Sequence, residues 1–231
     1  MHLSARLTKN IYVFIKMHLE YPHTALIIGQ TGCGKTRFVL NLIETKYKGA
    51  FEHIVIICPT IMYNEAYENT KWIWTDDEVH VDQLESRDLD DTLGGYFEIF
   101  RGDPTLYIID DCAGSKELLH RNFKKDKKST ICELGFSGRH AKQSVWVLSQ
   151  KYKHFLKDLR SQAKWLALFY CKDRDSFDEA LRENDVIDDD NVRKNVKSIL
   201  KTKKYHKLIL KTDQPVEWYL LDDLDELYKS Q

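Results

Sequence analysis

The eight residues GQTGCGKT at positions 29–36 constrain this chain more than any other stretch. They meet every fixed position of G-x-x-x-x-G-K-[ST] between the apolar run ALII at 25–28 and the helix-like FVLNLI at 38–43, the strand-then-helix setting that the motif requires. Gly29, Gly32 and Gly34 let the chain wrap close to a ligand, with successive N–H groups turned inward onto phosphate oxygens. The free N–H groups and positive dipole end of a helix starting near Lys35 add to the attraction for an anion. Gln30, Thr31 and Cys33 fill the variable positions of this nucleotide-binding loop. Lys35 is placed to reach the β- and γ-phosphates, and the Thr36 hydroxyl to hold Mg²⁺. ATP and Mg²⁺ are the cofactors that this pattern predicts.

The 231 residues, 42% hydrophobic, suit one α/β domain over residues 1–231 better than two domains with separate cores. The formal charge of −1 means that any nucleic-acid contact must come from a local patch. Cys33, Cys58, Cys112, Cys132 and Cys171 are widely spaced, with no C-x-x-C pair and no histidine at metal-ligand spacing, which predicts free thiols in a reducing, intracellular setting. The apolar piece at 11–15 is broken by Lys16. It is too short for a secretory signal core, and no run reaches the length of about 20 apolar residues that spans a bilayer. A soluble protein without direct membrane insertion is expected.

Along the chain, HIVIIC at 53–58, stopped by Pro59, reads as a buried parallel strand. Residues 61–101 are mixed: an aromatic patch at Trp72, Ile73 and Trp74, a short alternating VHV at 79–81, and a helix ending near Phe100. The turn at Gly102, Asp103 and Pro104 launches LYIIDD at 106–111. An apolar strand ending in two carboxylates is the expected second half of such a site. Asp110 would enter the Mg²⁺ shell, and Asp111 would orient or deprotonate the attacking water. Residues 121–128 hold Lys124, Lys125, Lys127 and Lys128 in a dense basic segment. Thr130 and Glu133 fit a capping box, and SVWVLSQ at 144–150 is a strand whose last residue, Gln150, would lie beside the phosphates. Residues 153–160 read as a short helix and 165–170 as a further strand. Helices at 176–184 and 191–200, capped between them by Asp188, Asp189 and Asp190, precede a hairpin of 207–211 and 216–220 at the sheet edge.

Taken in order, GQTGCGKT, LYIIDD, GRHAKQSVWVLSQ and LRSQAKWLALFY resemble the poxvirus-type genome-packaging ATPases of the FtsK–HerA P-loop superfamily, found in large DNA viruses, virophages and Polinton/Maverick elements. The resemblance covers residues 24–170, with 173–231 as a C-terminal extension. It implies an ASCE, RecA-like α/β fold: a mainly parallel central sheet flanked by helices, with the hairpin at its edge. It also implies an ATP hydrolase in which Lys35 and Thr36 bind phosphate and Mg²⁺, Asp110 is the metal-side carboxylate, Asp111 activates water, and Gln150 is the polar residue at the strand end. Many relatives of the wider superfamily carry Glu where Asp111 stands.

Ring-forming members of that group send an arginine into the neighbour's site, and Arg139 and Arg160 both match that role. The implied partners are double-stranded DNA gripped by the four lysines, further copies of the chain in a pentamer or hexamer, and a capsid or portal-vertex protein. The implied place is a host-cell viral factory or the virion. Two other classes stay open on the residues. One is a small-molecule kinase built on the same loop, although residues 61–101 lack the several arginines of a kinase lid. The other is a nucleotide-gated assembly module with little turnover, should Asp111 be poorly placed for water.

Overall fold

The computed structural model describes residues 21–84, 89–112 and 129–228. Strand β1 (Thr24–Ile28) has all five residues buried, as an apolar run covered on both sides of a parallel sheet must. It enters an eight-stranded sheet of order β3-β2-β4-β5-β1-β6-β7-β8. The other strands are β2 (His53–Ile57), β3 (Val79–Asp82), β4 (Thr105–Ile109), β5 (Gln143–Ser149), β6 (Ala163–Leu168), β7 (Lys207–Lys211) and β8 (Glu217–Leu221). The first six run parallel. β7 and β8 add antiparallel to β6, so the hairpin extends the same sheet at its edge.

Strand alternation sends successive residues to opposite faces, and each face has its own core. Helix α1 (Lys35–Thr45) buries Phe38, Val39, Leu40, Leu42 and Ile43 against Ala25, Ile27, Ile108, Trp146 and Trp165. The opposite face, with Leu26, Ile28, Val55 and Tyr107, receives α2 (Leu89–Ile99), α3 (Thr130–Ser137), α4 (Arg174–Asn184) and α5 (Asp190–Thr202). Layers of helix on both sides of a mostly parallel sheet define the α/β class.

Some local expectations shift. The cap of α3 is Ser129, whose hydroxyl accepts from the Cys132 N–H at 3.4 Å. Thr130 is instead the first helical residue, and its N–H and hydroxyl donate to the Asp90 side chain and carbonyl. The Thr130–Glu133 capping box therefore does not form, because tertiary bonding to α2 occupies its first member. Residues 153–160 form two separate short turns, a 3₁₀ turn at Tyr152–His154 and a helical turn at Lys157–Arg160. Asp189 caps α5 as expected, accepting from Asn191 and Val192. The aromatic patch splits: Ile73 is buried, Trp72 Nε1 donates to Glu44, and Trp74 Nε1 donates to the Tyr67 carbonyl. The apolar piece at 11–15 and the basic segment with Lys124, Lys125, Lys127 and Lys128 lie outside the described residues.

Candidate active site

The sheet order places the phosphate-loop strand two positions from the carboxylate strand, with β5 between them. Parallel registers align their C-terminal ends: Ile28 faces Ser149, and Val147 faces Ile109. The loop after β1, the pair Asp110–Asp111 after β4 and Gln150 after β5 therefore emerge at one end of the sheet. In open α/β sheets, this is the end where ligands bind.

The loop is tied at its base. Gly29 N–H donates to the Ser149 carbonyl (3.1 Å) and Gln30 N–H to the Tyr170 carbonyl (3.0 Å). A Cβ on Gly29 would stand 2.5 Å from Cys33 Sγ and 2.6 Å from Phe169 Cβ, so only glycine fits there. Gly34 precedes α1 with φ 95° and no side-chain cap, a left-handed conformation that glycine adopts without strain. The first N–H groups of α1 thus face the loop. Thr31 and Gly32 are exposed at its tip, while Cys33 is buried beneath it. Lys35 Nζ reaches back into the hollow and donates to the Gly29 (2.8 Å) and Gln30 (3.2 Å) carbonyls.

Next to this cradle, the Thr36 hydroxyl donates to Asp110 Oδ2 at 2.7 Å, and the buried Tyr67 hydroxyl donates to the same oxygen at 3.0 Å. Asp110 is 5% exposed. Burial pushes its carboxyl above the usual range; the Thr36 hydroxyl, Lys35 and Tyr67 oppose that, and Asp111 adds to it. A buried carboxylate with two hydroxyl donors is strongly satisfied but short of positive charge. The donor set Thr36–Asp110 is all oxygen, which suits a hard cation such as Mg²⁺. The glycine cradle and uncapped helix suit the phosphates it would accompany. The residues present thus fit both groups.

Asp111 turns away from its neighbour. Its φ of 55° is left-handed, a region that Asp enters more readily than most residues, and the side chain emerges exposed. Thr60 Oγ1 donates to Asp111 Oδ2 at 2.7 Å. Gln150 is also exposed, directly after buried Ser149, whose hydroxyl lies 3.2 Å from His154 Nδ1. Burial, then Lys151, holds the His154 imidazole below its usual pKa.

Arg139 and Arg160 are not in this constellation. Arg139 lies in the turn Gly138–Ala141 before β5. β5 is seven residues long, which puts Arg139 roughly 20 Å from the loop at about 3.3 Å per residue. It is exposed, and its Nε contacts His140 at 3.4 Å. Arg160 lies three residues before β6, with its side chain 12% exposed. It pairs with Glu183 (3.0 Å) and Glu179 (3.6 Å) and stacks over the Tyr152 ring.

Several contributors carried little signal in the sequence. Tyr67 comes from the weakly patterned stretch 61–82, and nothing in its spacing points to Asp110. Thr60 stands just past the end of β2 beside β4, a placement that only the strand order reveals. Tyr205 brings its ring within 3.1 Å of where a Cβ on Gly34 would be, from the connection between α5 and β7.

A structural likeness follows from this geometry. The genome-packaging NTPase B204 from Sulfolobus turreted icosahedral virus 2, in complex with AMP, superposes with TM-score 0.60 at 16% identity, covering 87% of this chain and 98% of that one. Its complex with ATP-gammaS gives 0.58 at 16% identity, over 85% and 96%. B204 described as the DNA-packaging ATPase from Sulfolobus Turreted Icosahedral Virus gives 0.61 at 16%, over 85% and 96%. At such identity, these likenesses establish the shared P-loop ATPase fold. No curated protein sequence matches this chain significantly. No helix among the described residues is long and apolar enough to cross a membrane. The family model described as Poxvirus A32 protein matches residues 14–216, and with most of its length matched, the chain belongs to that family.

Proposed function

We propose that this protein is an Mg²⁺-dependent ATPase that assembles as a ring and drives double-stranded DNA into a viral capsid. The observation that carries the catalytic part is the Thr36–Asp110 contact at 2.7 Å beside the glycine cradle, with the second carboxylate, Asp111, one residue on. Membership of the poxvirus-type packaging family and the likeness to a viral genome-packaging NTPase support the rest.

Phosphoryl transfer to water needs positioning and charge neutralisation more than covalent chemistry. The loop N–H groups and Lys35 hold and neutralise the phosphates. Thr36 and Asp110 would hold Mg²⁺, which would supply further neutralisation of the charge that develops on the phosphate oxygens. Asp111 then orients the attacking water or takes its proton, after exchanging its Thr60 contact for that water. Gln150, at the end of the intervening strand, faces the same water or the γ-phosphate. Arg139 or Arg160 completes the site from a neighbouring copy. Lys124, Lys125, Lys127 and Lys128 supply sequence-neutral contacts to DNA phosphates.

The first test is ATP hydrolysis by the purified protein with and without long double-stranded DNA, beside Lys35→Ala and Asp111→Asn. The expected result is DNA-stimulated turnover that falls by roughly 10²- to 10⁴-fold in either variant. Turnover indifferent to DNA removes the motor reading. The Thr60–Asp111 bond favours one second reading, a nucleotide-gated module in which that carboxylate stays engaged. Wild-type ATP binding without turnover, unchanged in Asp111→Asn, would establish that reading instead. Neutralising the four lysines is expected to reduce the salt slope of DNA binding by about 1 for each lysine that touches a phosphate, and an unchanged slope rules out their role.

A further inference from the structure

The far edge of the sheet carries a second constellation that the nucleotide chemistry does not use. His53 opens β2, and Glu78 directly precedes the edge strand β3, whose second residue is His80. The parallel register sets His80 opposite Val55. Strand alternation then puts His53, Val55, Glu78 and His80 on one face. One ligand atom from each of His53, Glu78 and His80 lies within 4.8 Å of the other two. His53 Nδ1 stands 2.7 Å from Glu78 Oε2, and His80 Nε2 is buried without a hydrogen-bond partner. A buried, unpartnered imidazole nitrogen costs free energy unless something ligates it.

The imidazole planes are fixed by packing. The Phe100 ring, just past α2, stacks on His53 at 4.1 Å and on His80 at 5.1 Å. Tyr96 lies along the same stack. Such support restricts ring rotation, so two ligand nitrogens are held near each other before any ion arrives.

We infer that His53, Glu78 and His80 form a binding site for a borderline-soft divalent transition metal, Zn²⁺ being the natural occupant. Two imidazoles and one carboxylate are a recurring zinc donor set that leaves a fourth position to water. Ligands about 2.0–2.1 Å from a tetrahedral ion sit about 3.3 Å apart. The three ligand atoms, within 4.8 Å of one another, stand close to that spacing, and the Glu78 side chain, 61% exposed, has room to adjust. Hard Mg²⁺ prefers an all-oxygen shell, so the two sites select different ions. They lie at opposite ends of β2, since Thr60 reaches Asp111 beyond its C-terminal end while His53 begins it. The ion would fasten β3, the four-residue edge strand of the sheet among the described residues, onto β2.

The test is competitive titration of Zn²⁺ against a chromogenic chelator, on the full chain previously stripped of metal. A Co²⁺ spectrum and thermal melts with and without Zn²⁺ accompany it. One equivalent is expected to bind, to raise the melting temperature, and to give Co²⁺ bands without thiolate charge transfer. Binding should weaken by more than about 100-fold in His80→Ala and in Glu78→Gln and persist in Lys35→Ala. Glu78→Gln preserves volume at an exposed position, so it remains informative if His80→Ala loosens the edge strand. The inference is overturned by the absence of a stoichiometric site, by unchanged affinity in Glu78→Gln, or by thiolate bands that place the metal on cysteine.

Discussion

At the C-terminal ends of β1, β5, β4 and β2, the chain gathers backbone N–H groups, hydroxyls and two carboxylates. At the opposite, N-terminal end of the parallel strands it places Arg139 before β5, Arg160 before β6, and the His53–Glu78–His80 cluster at the start of β2 and β3. The first end complements a nucleotide polyanion and a hard cation. The second offers a guanidinium exposed to solvent, another bound to its own glutamates, and a pair of imidazoles. Strand direction accounts for the division, because a parallel sheet aims every βα connection at one end. Either arginine stands roughly one strand length from its own loop. The proposed ring, in which an arginine enters a neighbour's site, is compatible with that separation.

The sharpest way to break the contrast is at Gly29. Gly29→Ala forces a methyl group into the space of Cys33 Sγ and Phe169 Cβ, and the backbone of the loop must shift. ATP affinity is expected to fall by more than about 100-fold, with a stability loss of about 1–3 kcal/mol from overpacking, read by nucleotide titration and denaturant unfolding. Gly95→Ala is the control. It lies within α2 with nothing near its Cβ position and should gain roughly 0.5–1 kcal/mol while leaving ATP binding unchanged. If Gly29→Ala binds ATP normally, the cradle is not where the phosphates sit.

Arg139 and Arg160 give the next comparison, because their surroundings differ at the same end of the sheet. Arg160→Ala removes the guanidinium that pairs with Glu183 and Glu179 and stacks over Tyr152, leaving Glu179 with Lys153 and Glu183 with the Tyr152 hydroxyl. It should lower stability by roughly 1–3 kcal/mol. Arg139→Ala removes an exposed side chain and should change stability by less than about 0.5 kcal/mol. If Arg139 is the residue that acts in trans, its loss cuts turnover by about 10³-fold with ATP binding retained. Mixing that variant with Lys35→Ala protein then restores part of the activity, because one interface in the mixture joins an intact loop to an intact arginine. No recovery, with turnover instead lost in a folded Arg160→Ala, would hand the role to Arg160.

The nucleotide end was largely legible in the sequence, and the opposite end largely was not. Gly29, Lys35 and Thr36 are fixed by a contiguous motif, and the run at 106–109 announces Asp110 at a strand end. Hydrophobic period gives strands and helices, but it carries no information on which strands are neighbours. The insertion of β5 between β1 and β4 is visible only in the structure, whereas the place of Gln150 beside the phosphates is expected from its position at the end of a parallel strand. Contacts that join distant stretches were opaque: Tyr67 to Asp110 spans 43 residues and Thr60 to Asp111 spans 51. The metal cluster had a faint signature in Glu78-Val79-His80, whose alternation puts two ligands on one face. His53, the third, becomes its neighbour only through the β2–β3 register.

The smallest expected effect concerns the C-terminal extension, which the sequence leaves without a role. Tyr205 has φ 65° and is 41% exposed. Its ring leans on Gly34, while Lys207 behind it is buried, paired with Asp225 and bonded to the Asp222 carbonyl at 2.7 Å. Asp225 in turn accepts from Asn41 of α1 at 2.6 Å, so the extension is anchored to the helix that carries the loop. A flat ring held beside the phosphate cradle is suited to pack on the base or ribose, an interaction of about 0.5–1.5 kcal/mol. Tyr205→Ala should therefore weaken ATP binding by roughly two- to tenfold, an effect that Tyr205→Phe mostly spares. Pyrophosphate, which shares the phosphates but has neither base nor ribose, should bind wild type and variant alike. Equal losses for both ligands would mean that Tyr205 acts by bracing Gly34, and the extension would then belong with the loop's scaffold and not with its recognition of nucleotide.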